Sequence, residues 1–199
     1  RLDITAMEES LNAVVQRHEI LRTTFLAFDG QPNQVIRPVL QLPLPIIDLQ
    51  KLPDAERENE SSRLTHEAAR RPFSLFRGPL LEATLIRLTE DEYLFLLTIH
   101  QIVCDGWSMH VFLRELWTSY EAYSVKQLPS LPPLSLQYGD FSVWQRQWFQ
   151  GEILDSQLSY WKKQLGTSLP VLHLPIDRSE PVPRSFHGAR VPLVFSQFL

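Results

Sequence analysis

The sequence predicts an α/β protein, a layered α+β sandwich of helices packed on antiparallel strands. Three observations predict it. Apolar residues recur at helical spacing in several separate segments. Two strand-like runs, Leu80 to Leu88 and Tyr93 to Ile99, are joined by the acidic turn Glu90-Asp91-Glu92. Helical and strand patterns follow one another in mixed order, with no internal repeat and no low-complexity tract.

In chain order, Thr5 and Glu8 form a Thr-x-x-Glu capping box that opens a first helix. Met7, Leu11, Val14, Val15 and His18 share one of its faces. Thr23-Thr24-Phe25-Leu26 is rich in branched and aromatic residues and reads as a strand. Asp29-Gly30 turns it, and Gln34 to Ile36 returns. Leu40 to Pro53 reads as irregular. Asp54 to Arg71 is a charged helix, capped by Asp54 and stopped by Pro72. Gly78-Pro79 introduces the hairpin. Its second strand, Tyr93 to Ile99, is apolar on both faces, the pattern of a central strand covered on both sides. Beyond Gly106, the residues Met109, Phe112, Leu113, Leu116, Tyr120 and Tyr123 form a helix face, with Ser108 as the cap. Residues 124–137, with Pro129, Pro132 and Pro133, read as a stiff connector. A helical aromatic segment starts at Tyr138, and Leu154, Leu158, Trp161 and Leu165 carry a helix to Gly166. The remainder reads as loop until an apolar, strand-like run, Arg190 to Leu199. The chain starts just before a helix cap and stops inside that run, so it reads as part of a larger domain.

With 199 residues there is length for one cored domain. The net charge of −4 and the lack of a basic block argue against a nucleic-acid partner. No apolar run reaches the roughly 18–20 residues of a membrane span, and nothing resembles a signal peptide. The single cysteine, Cys104, excludes an internal disulfide and fits a reducing compartment. The sequence therefore reads as cytoplasmic, with no membrane partner.

Chemistry concentrates at Thr98-Ile99-His100-Gln101-Ile102-Val103-Cys104-Asp105-Gly106-Trp107-Ser108. In a strand, Gln101 shares its parity with Phe95, Leu97 and Ile99, whereas His100 faces the other way with Leu94, Leu96 and Thr98. A histidine ending a buried strand is more often a hydrogen-bonded core residue than a catalyst, and Asp-Gly is more often a turn than a site. Asp105 could instead brace the loop by pairing with an arginine. Gly106 could let a backbone amide approach an oxyanion. Cys104, with no activating partner nearby in sequence, reads as a packed thiol rather than a nucleophile.

The stretch His100-Gln101-Ile102-Val103-Cys104-Asp105-Gly106 resembles the His-His-x-x-x-Asp-Gly signature of condensation domains from nonribosomal peptide synthetases. Arg17-His18-Glu19-Ile20-Leu21-Arg22-Thr23-Thr24-Phe25 resembles the family's Arg-His-Glu-x-Leu-Arg-Thr-x-Phe motif. Tyr138-Gly139-Asp140-Phe141-Ser142-Val143-Trp144 resembles its Tyr-x-Asp-Phe-Ala-Val-Trp motif. Pro72 to Leu81 is family-like too. The motifs come in the family's order across nearly the whole chain.

The resemblance implies a chloramphenicol-acetyltransferase-like fold of two lobes. Residues 1–199 would form the N-terminal lobe, and 166–199 would lead toward a C-terminal one. It implies a peptide-bond-forming acyltransferase of secondary metabolism, joining carrier-tethered thioesters, with an L-configured donor suggested by the first motif. No bound cofactor is implied; the substrates ride on phosphopantetheine arms. The implied partners are upstream and downstream carrier proteins, the C-terminal lobe and an adjacent adenylation domain.

The resemblance also assigns roles residue by residue. His100 is structural, Asp105 pairs with Arg17 or Arg22, Gly106 is oxyanion-adjacent, and Trp107 and Ser108 line the substrate tunnel. Gln101 occupies the second-histidine position, and also that of the single histidine of related acyltransferases. An amide has no proton to exchange near neutrality, so it cannot be a general base. Three consequences are open: an inactive variant, catalysis by positioning alone, or a non-condensing relative that binds carriers or other partners.

Overall fold

The computed structural model describes residues 1–166, 169, 175 and 191–194. The chain forms two compact units, Arg1–Gln150 and Gly151–Leu199.

In the first unit, helix α1 (Ile4–Arg17) presents Met7, Leu11, Val14 and Val15 to the core, as the periodicity predicts. Its cap is Asp3 rather than Thr5: Asp3 has extended backbone angles, and its carboxylate accepts the Ala6 N–H at 3.0 Å. Glu8 is used elsewhere. Its Oε1 accepts the Leu44 N–H at 3.2 Å and ties the loop before the sheet onto α1. His18 ends the helix, and a 3₁₀ turn, Glu19–Arg22, leads into β1 (Thr23–Phe28). β1 pairs antiparallel with β2 (Gln31–Ile36), which starts earlier than the sequence suggests. Asp29 and Gly30 both have positive φ, the two-residue turn that matches strand twist.

The main sheet has three strands in the order β3 (Ile46–Asp48), β4 (Leu81–Arg87), β5 (Tyr93–Ile99). β3 is hidden in the sequence because it is only three residues long and follows Pro43 and Pro45. It pairs parallel with β4, with Ile46 opposite Leu85. β4 and β5 form the expected antiparallel hairpin, with Leu85 opposite Phe95. Among the described residues, however, β4 is the central strand and β5 an edge. The two-faced apolar pattern of β5 has another cause: helices lie on both sides of the sheet. Phe95, Leu97 and Ile99 pack on the core made with α1 and α3, while Leu96 and Thr98 line a cavity with Leu64 and Ala68 of α2.

Helix α2 (Asp54–Arg70) has Pro53, not Asp54, at its cap position; Asp54 is its first residue and pairs with Arg57 at 3.1 Å. None of its residues is buried, so the core lies on the opposite face of the sheet. There α3 (Gly106–Ser124) inserts Phe112 and Leu116 between α1 and the residues Leu81, Ala83 and Leu85 of β4. Ser124 belongs to α3, so the proline-rich connector begins only at Gln127; 127–137 forms neither helix nor strand. Helix α4 (Tyr138–Trp148) then carries an aromatic row in which Trp144 and Trp148 stack at 5.4 Å. The second unit contains α5 (Gly151–Leu165). Most of 166–199 lies outside the described residues; Val191 to Val194, within the run read as strand-like, forms neither helix nor strand.

Leu116 is fully buried where α1, α3 and β4 meet. Truncation there removes packing atoms and leaves a cavity that close-packed neighbours only partly fill. Leu116→Ala is expected to cost about 2–5 kcal/mol, measured by chemical denaturation with the exposed-site variants Asp54→Ala, Glu67→Ala and Lys51→Ala as controls.

Candidate active-site loop and its supports

β5 ends at Ile99, but its ladder gains one more bond, from the His100 N–H to the Leu80 carbonyl at 2.9 Å. The chain then turns: the Val103 N–H donates to the His100 carbonyl at 3.0 Å. His100 locks that turn from within. Its Nδ1 accepts the Ile102 N–H at 3.0 Å, which places the neutral ring's proton on Nε2. Its ring meets Phe73 edge-on at 6.0 Å. His100 is half-buried and structurally engaged, whereas Gln101, at the corner of the turn, is exposed. The two side chains meet different surroundings, although the turn rather than strand alternation separates them. The Gln101 amide makes no hydrogen bond among the described residues.

Val103 is buried and anchors the loop. Cys104 is half-buried, and burial, followed by the neighbouring charge of Asp105, pushes its thiol pKa up. A thiol held protonated at neutral pH is a poor nucleophile. Asp105 is the N-cap of α3, in place of Ser108: its Oδ1 accepts both the Ser108 N–H at 2.8 Å and the Ser108 hydroxyl at 2.6 Å. Those two bonds, the hydroxyl's foremost, hold the carboxyl below its ordinary range. Ser108 is therefore the residue being bonded by the cap, in a turn of the Asx kind. Gly106 opens α3 without a positive φ, and a Cβ there would meet nothing within 4 Å. Among the described residues, neither backbone angle nor crowding demands glycine at that position.

Asp105 pairs with neither Arg17 nor Arg22, the two arginines expected to brace it. Arg17 Nε donates to Glu115 Oε2 at 3.1 Å, and its terminal nitrogen reaches the Pro132 carbonyl. Arg22 donates to the Arg37 carbonyl and lies 3.6 Å from Glu19. The reason is one of length. Asp105 and Glu115 sit at positions ten residues apart on α3, about 15 Å along its axis, and α1 delivers Arg17 to the Glu115 level.

Glu115 is the site residue that sequence reasoning missed. It is 5% exposed, and its Oε2 accepts from both Arg17 and His18, the latter at 2.6 Å. The signal was present: Glu115 falls between Phe112, Leu116 and Ser119 on the buried face of α3, where a carboxylate must be paired. Gln137 makes a second unforeseen link. Its carboxamide accepts the Glu19 N–H at 3.1 Å and donates to the Arg17 carbonyl at 3.0 Å. Residues 17–19 are thereby fastened to α3, to the connector and to the start of α4.

Three sequence motifs thus converge in one unit: the end of α1, the loop 100–108 and the start of α4. The condensation-domain family model matches residues 1–197. The chain belongs to the condensation-domain family. It is 48% identical over 198 residues to one of the linear gramicidin synthase proteins of Brevibacillus parabrevis, covering all of this chain and 3% of that protein. Chondramide synthase of Chondromyces crocatus is 42% identical over 187 residues, with 94% of this chain and 5% of that protein covered. The chain thus spans only a small part of these large synthases. Among solved structures, the X-domain from teicoplanin biosynthesis superposes with a TM-score of 0.79 at 31% identity, covering 91% of this chain and 40% of that one. The cyclization-docking bidomain EpoB of Sorangium cellulosum gives 0.76 at 27%, covering 89% and 34%. The fold is therefore that of a condensation domain. Among the described residues no helix is long and apolar enough to cross a membrane, and no cluster of His, Cys, Asp or Glu could hold a metal ion.

Two outcomes follow. Removing one member of a buried ion pair strands the others; Glu115→Leu is expected to destabilise the fold by about 3 kcal/mol, read as a lowered midpoint in chemical denaturation. The second concerns acid. Because Asp105 has a lowered pKa when folded, its cap is intact above the ordinary carboxylate range and is lost as pH falls through the lowered value. The Ser108 amide resonance should titrate accordingly by NMR, and should stop doing so in Asp105→Ala.

Proposed function

We propose that this chain is part of a condensation domain that forms an amide bond between an upstream aminoacyl or peptidyl thioester and the amine of a downstream aminoacyl thioester. Both substrates arrive on phosphopantetheine arms of carrier proteins, and the first motif favours an L-configured donor. The observation that carries this reading is the loop 100–108. It stands at the end of a sheet strand, locked by His100 and capped by Asp105, in a chain 48% identical to a linear gramicidin synthase protein. A C-terminal lobe, carrier proteins and an adenylation domain complete the machinery.

The chemistry is simple to balance. The amine nitrogen bonds to the thioester carbon, the carbon–sulfur bond breaks, and the pantetheine sulfur leaves with a proton originally on the amine. Three tasks fall to the protein: orienting the partners, handling that proton and stabilising the oxyanion. Gln101 serves the first. Its exposed carboxamide can accept from the amine or donate to the carbonyl, but it cannot take the proton. Open space beside Gly106 lets a substrate approach the first turn of α3 closely. His100 and Asp105 hold the loop; neither Arg17 nor Arg22 is needed for that.

A second reading is a carrier- or partner-binding module without chemistry. Its motivation is Gln101 together with the likeness to an X-domain solved in complex with OxyB from teicoplanin biosynthesis, at a TM-score of 0.80.

Dipeptidyl transfer between loaded carriers, assayed on the full-length protein, separates the two. Turnover with Gln101 in place excludes the pure binding module. Gln101→His is expected to raise the rate by about 10²- to 10⁴-fold, the contribution of a general base; an unchanged rate would sink a base role for this position.

A further inference from the structure

A cavity of about 160 Å³ lies between the 3₁₀ turn, the motif loop and α3. Ile20, Val103, Val111 and Phe112 wall it, and Cys104 and the 82% exposed Trp107 complete it. Two of its polar contributors are already engaged. His18 is tied through Nε2 to Glu115, and Ser108 is tied to Asp105. The surface left for a ligand is mostly apolar, with the Cys104 thiol and the Trp107 indole N–H at its edge, and an apolar guest leaves the His18–Glu115 and Ser108–Asp105 bonds in place. The volume is of the order that holds a small aromatic ring, since a cavity of about 150 Å³ accepts benzene.

We propose that this cavity receives the aliphatic or aromatic side chain of a tethered aminoacyl thioester, with Val111 and Ile20 setting which side chains fit. The inference rests on the condensing function proposed above and names a substrate class for it. The cavity shares Cys104, Trp107 and Ser108 with the loop that carries Gln101. A side chain seated in it keeps the reacting amine or carbonyl beside that loop, and transfer to the reaction is by orientation. The Glu115 cluster is then more than a brace. By fixing His18 it fixes one wall of the specificity pocket.

Cys104 supplies a readout that does not depend on turnover. Alkylation of Cys104 by iodoacetamide, in the full-length protein at an alkaline pH and over a time at which the ligand-free protein is fully labelled, is followed by mass spectrometry of its peptide. Pantetheine conjugates of alanine, leucine and phenylalanine, joined through a stable amide in place of the thioester, are added in turn. The leucine and phenylalanine conjugates are expected to protect Cys104 at concentrations at least about tenfold lower than the alanine conjugate. Val111→Phe, which fills the cavity, should erase that difference. Val111→Ala, which enlarges it without overpacking, should extend protection to a tryptophan conjugate. Conjugates with a free amine and with an acylated amine tell an acceptor side chain from a donor one. Equal protection by all conjugates, or none by any, overturns the proposal. Absence of dipeptide formation alongside graded protection would instead overturn the condensing function and leave the apolar subsite standing.

Discussion

One buried carboxylate holds the first unit in register. Glu115 lies on the core face of α3, where an unpaired charge would be costly, and it is offset by Arg17 and His18 at the end of α1. Two helices that are far apart in sequence are thereby fixed against each other at one level. Apolar packing alone, through Leu11, Val14, Phe112 and Leu116, would tolerate sliding by a turn; a two-donor ion cluster does not. From the same residues the network continues outward, through Pro132 and Gln137, to the connector and α4. The motif at the end of α1 is thus a junction rather than a ligand of the motif loop.

The loop itself is self-sufficient. His100 satisfies a backbone amide inside the turn, Asp105 satisfies one at the start of α3, and Val103 pins the middle into the core. The two side-chain hydrogen bonds are local, spanning two and three residues, and neither Arg17 nor Arg22 contributes to them. That division explains how a glutamine is accommodated at position 101. The side chain there contributes nothing to the loop's internal bonding and is open to solvent, so its identity is a matter of chemistry and not of folding.

What the sequence made legible followed from periodicity and punctuation. The faces of α1 and α3, the Asp29-Gly30 turn and the β4–β5 hairpin are all signals carried by neighbours in the chain. What it hid depended on distant partners. β3 is three residues long and is a strand only because β4 lies beside it. Thr5 and Ser108 both looked like caps, yet the chain bends earlier, at Asp3 and Asp105, because tertiary contacts set where each helix enters the core. The strand Tyr93–Ile99 looked central because sequence records apolar faces and not the number of strand neighbours. Arg17 meets Glu115 instead of Asp105 for the same kind of reason: which carboxylate α1 reaches depends on the axial offset between two helices, and Glu115 was the one at the right height.

The separation of that ion cluster along the chain has a temporal consequence. Arg17 and Glu115 are 98 positions apart. At synthesis rates of about 5–20 residues per second, α1 exists for roughly 5–20 seconds before its counter-charge has even been made. During that interval Met7, Leu11, Val14 and Val15 have no α3 to cover them.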